Sequence, residues 1–146
     1  MASENPKPLP DPDDPDVAPF WRATMEGRLL VRRCGDCGKH HWPPRVGCPY
    51  CGSGNVDWTE APPRGRLFSW TIVHRSQTRG FEEEVPYAVL LVEIDGIENV
   101  RMIGNLANAG LDAIEAGLEL EAVFTPSPDG SVTLVNWQPA DPSLRT

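Results

Sequence analysis

The chain has 146 residues, 21 acidic against 13 basic side chains and a formal net charge of −8, a length that suits one ordinary domain or a small metal-stapled unit beside a compact β domain. Its longest apolar run, Ala88 to Val92, falls far short of the roughly 20 residues a bilayer-spanning helix needs, so a soluble, cytoplasmic protein is expected. Charge is unevenly spread: residues 22–51 carry Arg22, Arg28, Arg32, Arg33, Lys39 and Arg45 against Glu26 and Asp36, whereas residues 65–146 carry five arginines against twelve carboxylates, a sign that opposes phosphate-backbone binding by the second part.

Residues 1–16 alternate Pro6, Pro8, Pro10, Pro12 and Pro15 with Asp11, Asp13, Asp14 and Asp16 and offer no apolar face to bury, so a disordered tail is expected. Asp16 then reads as the cap of a short helix through Phe20, Trp21 and Met25 that stops at Gly27. These three side chains fall roughly on one helical face. A helix of about ten residues is marginal alone, so that face packs on its own neighbourhood, on the main domain or on a partner, and Phe20 and Trp21 are candidate partner contacts.

Leu29 to Arg33 and His40 to Arg45 read as short strands, Pro43-Pro44 preventing an ordinary central strand beyond. Around them stand all four cysteines, as Cys34-Gly35-Asp36-Cys37 and Cys48-Pro49-Tyr50-Cys51, the pairs separated by ten residues. Two C-x2-C turns at this spacing bring four thiolates onto one tetrahedral ion, the pattern of a zinc ribbon. With all four positions filled by sulfur the zinc has no open site for water and is structural. Two disulfides or unpaired thiols are the alternative; the start Met1-Ala2-Ser3, without an apolar signal stretch, speaks against the oxidising compartment they need.

Ala61-Pro62-Pro63-Arg64-Gly65 reads as a stiff hinge, dividing a helix-and-ribbon unit (17–61) from a β domain (62–146). Arg66 to Ser76 alternates Phe68, Trp70, Ile72 and His74 with Leu67, Ser69, Thr71 and Val73, as a long barrel strand would. Pro86 to Ile94 and Glu98 to Asn105 follow as strands, Ala109 to Ala116 as a short helix ending at Gly117, then Leu118 to Thr125 and, past Asp129-Gly130, Val132 to Pro139. Three strands, a short helix and two strands is the order of an OB-fold, the five-stranded partly open barrel. The fold class expected is therefore mainly β. Phe68, Trp70 and Tyr87 are expected in its core with Phe124 and Trp137; the competing reading makes them stacking platforms for single-stranded nucleic acid. The long loop Arg75 to Val85 carries Gly80-Phe81 and Glu82-Glu83-Glu84, a set suited to docking a basic surface, with Phe81 as a candidate partner contact.

The arrangement as a whole resembles the small proteins, long catalogued as a domain of unknown function, that join a rubredoxin-like zinc ribbon to an OB-fold and accompany thiolases and related acyl-CoA enzymes. The resemblance covers about residues 17–140 and rests on Pro19-Phe20-Trp21, Gly27-Arg28-Leu29, the two cysteine knuckles with Gly38 and Gly52, Pro43-Pro44-Arg45, the Gly65 to His74 strand, Pro86-Tyr87 and Gly104-Asn105-Leu106. It implies a non-catalytic subunit that stabilises a thiolase, a synthase of that fold or a retro-aldolase acting on side-chain acyl-CoA intermediates such as those of steroid breakdown, and in some assemblies helps form the thioester passage. The residues themselves show no HExxH, GxSxG or phosphate-cradling glycine loop. His74, the one histidine outside the ribbon, reads as a structural residue, and neither His40 nor His41 is expected to replace a cysteine as metal ligand. If coenzyme A is touched, its phosphates favour guanidinium and ammonium groups, which here are Arg28, Arg32, Arg33, Lys39 and Arg45. A passive scaffold and a nucleic-acid-binding protein are the competing functions.

Overall fold

The computed structural model describes residues 6–146; the first five residues of the predicted tail lie outside the described residues. One helix, α1 (Ala18–Met25), precedes a three-stranded sheet and a five-stranded sheet. Helix α1 starts without a side-chain cap: the Asp14 carbonyl accepts from the backbone N–H of Val17 and Ala18, at 3.0 and 2.8 Å, while Asp16 lies in the preceding turn with its N–H on the Asp14 carboxylate. The carboxylate predicted to cap is thus pre-empted by a turn that already supplies an acceptor. The end follows the glycine rule, Gly27 at φ +73 with Arg28 N–H on the Ala23 carbonyl and Gly27 N–H on that of Thr24. Phe20 is buried; Met25, expected on the same face, is 63% exposed in the last turn.

Strands β1 (Leu29–Cys34), β2 (His40–His41) and β3 (Val56–Ala61) form the first sheet in the order β2-β1-β3, both pairings antiparallel. Strand β2 keeps only two of its six predicted residues because the prolines after Trp42 remove ladder donors. The second sheet runs β6-β5-β4-β7-β8, from β4 (Arg64–Val73), β5 (Tyr87–Ile94), β6 (Arg101–Asn105), β7 (Glu119–Pro126) and β8 (Thr133–Pro139). The strand order is that of an OB-fold. Its last seam is closed without a full ladder: Leu106 bridges to Trp137, Ala107 N–H donates to the Trp137 carbonyl at 2.7 Å, and Asn105 N–H donates to Asn136 Oδ1. Between β6 and β7 the predicted helix contracts to a single 3₁₀ turn, Leu111–Ala113, because Gly110 and Ile114 on either side are extended.

Two further expectations change. The register of β4 against β5 shifts between Leu67 and Ser69, so Phe68 is the extra residue of a bulge and stands 50% exposed under the Arg101 guanidinium, 3.9 Å from its ring centroid. Trp70, opposite the buried Leu90, is 40% exposed, since β7 pairs only with Arg64–Arg66 and leaves the far half of β4 uncovered. Trp137 is buried as expected, and Phe124 packs half-buried against the core. Across the stretch expected as a stiff hinge the two sheets share packing: Arg64 is paired with Glu121, and one hydrophobic cluster runs from Phe20, Leu29, Val31 and Ala61 through Leu90 and Val92 to Trp137.

Candidate metal centre and the surface around it

Strand β1 ends on Cys34, and the chain turns at once. In the first knuckle Cys34 N–H donates to the Lys39 carbonyl at 2.9 Å and Gly38 N–H to the Cys34 carbonyl at 2.9 Å; in the second, Cys48 N–H donates to Ser53 O at 2.8 Å and Gly52 N–H to Cys48 O at 2.9 Å. Each knuckle needs a residue with positive φ four places after its first cysteine, and Gly38 and Gly52, both at +77, supply it. The two turns are copies of one device facing each other.

The four Sγ atoms all lie within 4.8 Å of one another, with Cys34–Cys51 and Cys37–Cys48 at 3.6 Å. A tetrahedral zinc with Zn–S bonds of about 2.3 Å would hold its sulfurs about 3.8 Å apart, so the donor set fits that ion without rearrangement of the backbone. Backbone N–H groups of Cys37 and Tyr50 point at the sulfurs of Cys34 and Cys48, each at 3.4 Å. They favour the thiolate. The Cys37 N–H is the chief reason the Cys34 thiol is drawn down to about 6, and Cys48 is also lowered, its burial outweighed by the N–H groups of Cys51 and Tyr50. At Cys51 the pull of the Ser53 N–H is outweighed by the Cys34 sulfur, by burial and by Cys48 and Cys37, which push that thiol up to about 12. Four sulfurs this close cannot all ionise unaided; a dication at their centre removes the conflict. No histidine belongs to the cluster among the described residues.

Nothing in the cysteine spacing points to Asp36, Ser53 and Asn55, yet they tie the knuckles together. Ser53 Oγ and Asn55 Nδ2 both donate to the Asp36 carboxylate and hold it below its ordinary value. The sequence signal is faint: an acid inside the first C-x2-C and amide or hydroxyl residues just past the second.

The predicted cations do not form one patch. Arg28 is spent on Glu26 at 2.7 Å and Glu60 at 3.6 Å. Arg32 stacks on Trp58, 4.6 Å to the ring centroid, and donates to the Val56 carbonyl, while Arg33, next along β1, faces the opposite side and is exposed. Lys39 lies over Tyr50 at 4.9 Å, and Arg45 is exposed beyond β2. The buried His41 faces Arg32 and Arg45; burial first, then those two charges, lowers its pKa, and both ring nitrogens lack a partner among the described residues. His74, predicted on a barrel face, is exposed just past the end of β4.

Of the predicted partner contacts, Phe20 is corrected to a core residue: it is 6% exposed, its ring 4.7 Å from that of Trp42 and 4.8 Å from that of Trp21. Trp21 remains half-buried, and Phe81 sits half-buried against Tyr87. A groove of about 610 Å³ runs along the barrel past Arg66, Phe68, Glu93, Asp95 and Glu98; its acids outnumber its one cation. No helix among the described residues is long and apolar enough to cross a membrane.

Comparison with known proteins follows the same division. Residues 21–57 match the family described as "ChsH2, rubredoxin-like zinc ribbon domain" and residues 58–125 that described as "ChsH2, C-terminal OB-fold domain". A probable enoyl-CoA hydratase alpha subunit of Thermomonospora curvata is 33% identical over 126 residues, covering 86% of this chain and 34% of that protein. A DUF35 domain-containing scaffold protein of Pyrococcus furiosus is 33% identical over 109 residues, 73% of this chain and 76% of its own length. Among solved structures, a chain of the Ltp2-ChsH2(DUF35) aldolase superposes with a TM-score of 0.76 at 32% identity, covering 92% of this chain and 100% of that one. The chain thus spans about one third of the hydratase subunit and the whole of the aldolase component.

Proposed function

This chain belongs to the ChsH2-type DUF35 family of zinc-ribbon and OB-fold proteins, and from that membership we propose that it is a non-catalytic accessory subunit of an acyl-CoA enzyme, with one structural zinc on Cys34, Cys37, Cys48 and Cys51. The observation that carries the reading is the likeness to a whole chain of the Ltp2-ChsH2(DUF35) aldolase. We take the partner to be an enzyme of the thiolase fold, a thiolase, synthase or retro-aldolase, rather than a hydratase, because the hydratase subunit is matched over only 34% of its length. A role beside the thioester would use Arg33, Lys39 and Arg45, which are exposed and in no ion pair among the described residues, rather than Arg28, paired with Glu26 and Glu60, or Arg32, held on Trp58 and the Val56 carbonyl.

Co-expression with a thiolase-fold acyl-CoA enzyme encoded beside it tests this. A stable complex that turns over an acyl-CoA substrate, while the isolated chain does not, is the expected result, and His74→Ala should leave the chemical step intact. Turnover by the isolated chain would overturn the accessory role. Association only with a hydratase would overturn the choice of partner.

A further inference from the structure

The segment before α1, predicted to be a free tail, is seated on the barrel. Lys7 Nζ stands 2.5 Å from Glu84 Oε1 and 4.6 Å from the centroid of the Phe81 ring, which is braced in turn by Tyr87 at 5.4 Å. Gly80, buried and at φ +84, makes room for this: a Cβ there would fall 2.7 Å from the backbone nitrogen and 2.8 Å from the Cα of Lys7. The loop keeps its shape by its own bonds, Gly80 N–H on Glu82 Oε2, Phe81 N–H on the Thr78 carbonyl and Glu84 N–H on the Phe81 carbonyl. An aromatic floor, a carboxylate wall and a glycine gap are the parts a lysine with its main chain would need.

We propose that the Gly80–Glu84 loop is a docking clamp for a lysine-bearing segment of a protein partner, and that Lys7 occupies the same seat within the chain until such a segment displaces it. Three features select this occupant. The gap at Gly80 admits backbone, so the ligand is a peptide segment rather than a free amine. Glu82, Glu83 and Glu84 outnumber Lys7 and the adjacent Arg79 by one, a residual negative charge that favours a cationic segment. And the internal contact is replaceable: Lys7 and Glu84 are 39% and 46% exposed in their side chains, where an ion pair and a cation–π contact hold only modestly. The clamp stands whichever enzyme the partner is.

The test uses the full chain, labelled with ¹⁵N, and as probe an acetylated, amidated peptide copying Pro6 to Pro10. In the parent the tethered Lys7 competes with the probe. In Lys7→Ala the Gly80 and Phe81 amide resonances should shift saturably at a peptide concentration about tenfold lower than in the parent, because the weak ion pair and the weak cation–π interaction that kept the seat occupied are both removed. Adding Glu84→Gln or Phe81→Ala to Lys7→Ala should abolish the shift while the remaining amide spectrum stays that of the folded chain. A peptide with norleucine in place of lysine should not bind. Equal shifts in parent and Lys7→Ala, an absent shift in Lys7→Ala at millimolar peptide, or equal binding of the norleucine peptide would each overturn the clamp.

Discussion

Gly104→Ala should damage the barrel more than a single added methyl group suggests. Gly104 lies in β6 against β8, and a Cβ built on it falls 2.7 Å from Trp137 Cδ1, 2.9 Å from the Val135 carbonyl oxygen and 3.0 Å from Trp137 Nε1. Ordinary contact would need roughly 0.8 Å more than the first of these distances. Neither neighbour can yield easily: one is backbone, the other an indole with no exposed surface. Overpacking of a well-filled core costs about 1–3 kcal/mol, and with backbone among the obstacles we expect the upper end, about 3 kcal/mol. At this chain length each kcal/mol moves the melting temperature by roughly 2–4 °C, so metal-saturated Gly104→Ala should melt about 6–12 °C below the parent by near-UV circular dichroism. Gly54→Ala is the control, having nothing within 4 Å of its Cβ position, and should melt within about 2 °C of the parent. Trp137→Phe removes Nε1, one of the three obstructing atoms, and its smaller ring has room to shift away from the added methyl, so the double variant should lose less than the two single losses added together. A Gly104→Ala protein that melts with the parent, or strict additivity with Trp137→Phe, would refute the close approach as the means of closing the barrel.

Purified parent protein should hold one zinc per chain by atomic emission, and Cys48→Ser, which alters a buried donor, should hold none and lose the amide dispersion of the ribbon; metal-free parent with paired thiols would contradict the site. Phe20→Ala should destabilise the free chain by about 3–5 kcal/mol, the usual cost of emptying a buried aromatic site; unchanged melting with weakened partner binding would return Phe20 to the surface. Asp129 is held from its ordinary 3.8 to about 2 by donors from Ser127 and Ser131. A carboxyl lowered in the folded state stabilises above its unfolded pKa and stops doing so as pH falls through the folded one. The margin of the parent over Asp129→Asn should therefore be full above about pH 4 and fade toward pH 2 in denaturant melts.

The knuckles were legible because their chemistry is local: a cysteine pair, the glycine four places on and the turn between them lie within six residues. Strand order was legible for the same reason, each strand being bounded by its own prolines and glycines. What escaped was set by neighbours distant in sequence. Alternation in β4 put Phe68 and Trp70 inside, but a bulge reset the pattern at Phe68 and the short pairing with β7 uncovered Trp70. The helix expected before Gly117 lacked any packed face to hold it, since none of Leu111, Asp112 and Ala113 is buried. Lys7 found a seat supplied by residues more than seventy places away, which no reading of a proline- and aspartate-rich stretch by itself could show.

The hydrophobic cluster that passes unbroken from Phe20, Leu29 and Val31 into the barrel couples events at its two ends. A ligand held only by the folded form stabilises everything whose folding is cooperative with its site, and here Leu29 and Val31 share one strand with Cys34 while their side chains have no exposed surface at all. Chelation should then be felt as a lower melting point of the whole chain, in one transition rather than two. Because such coupling is reciprocal, the barrel in turn tightens the grip of the thiolates, so that substitutions as remote as Gly104 should lower the equilibrium affinity for the metal, read by competition with a chelator, without touching a ligand.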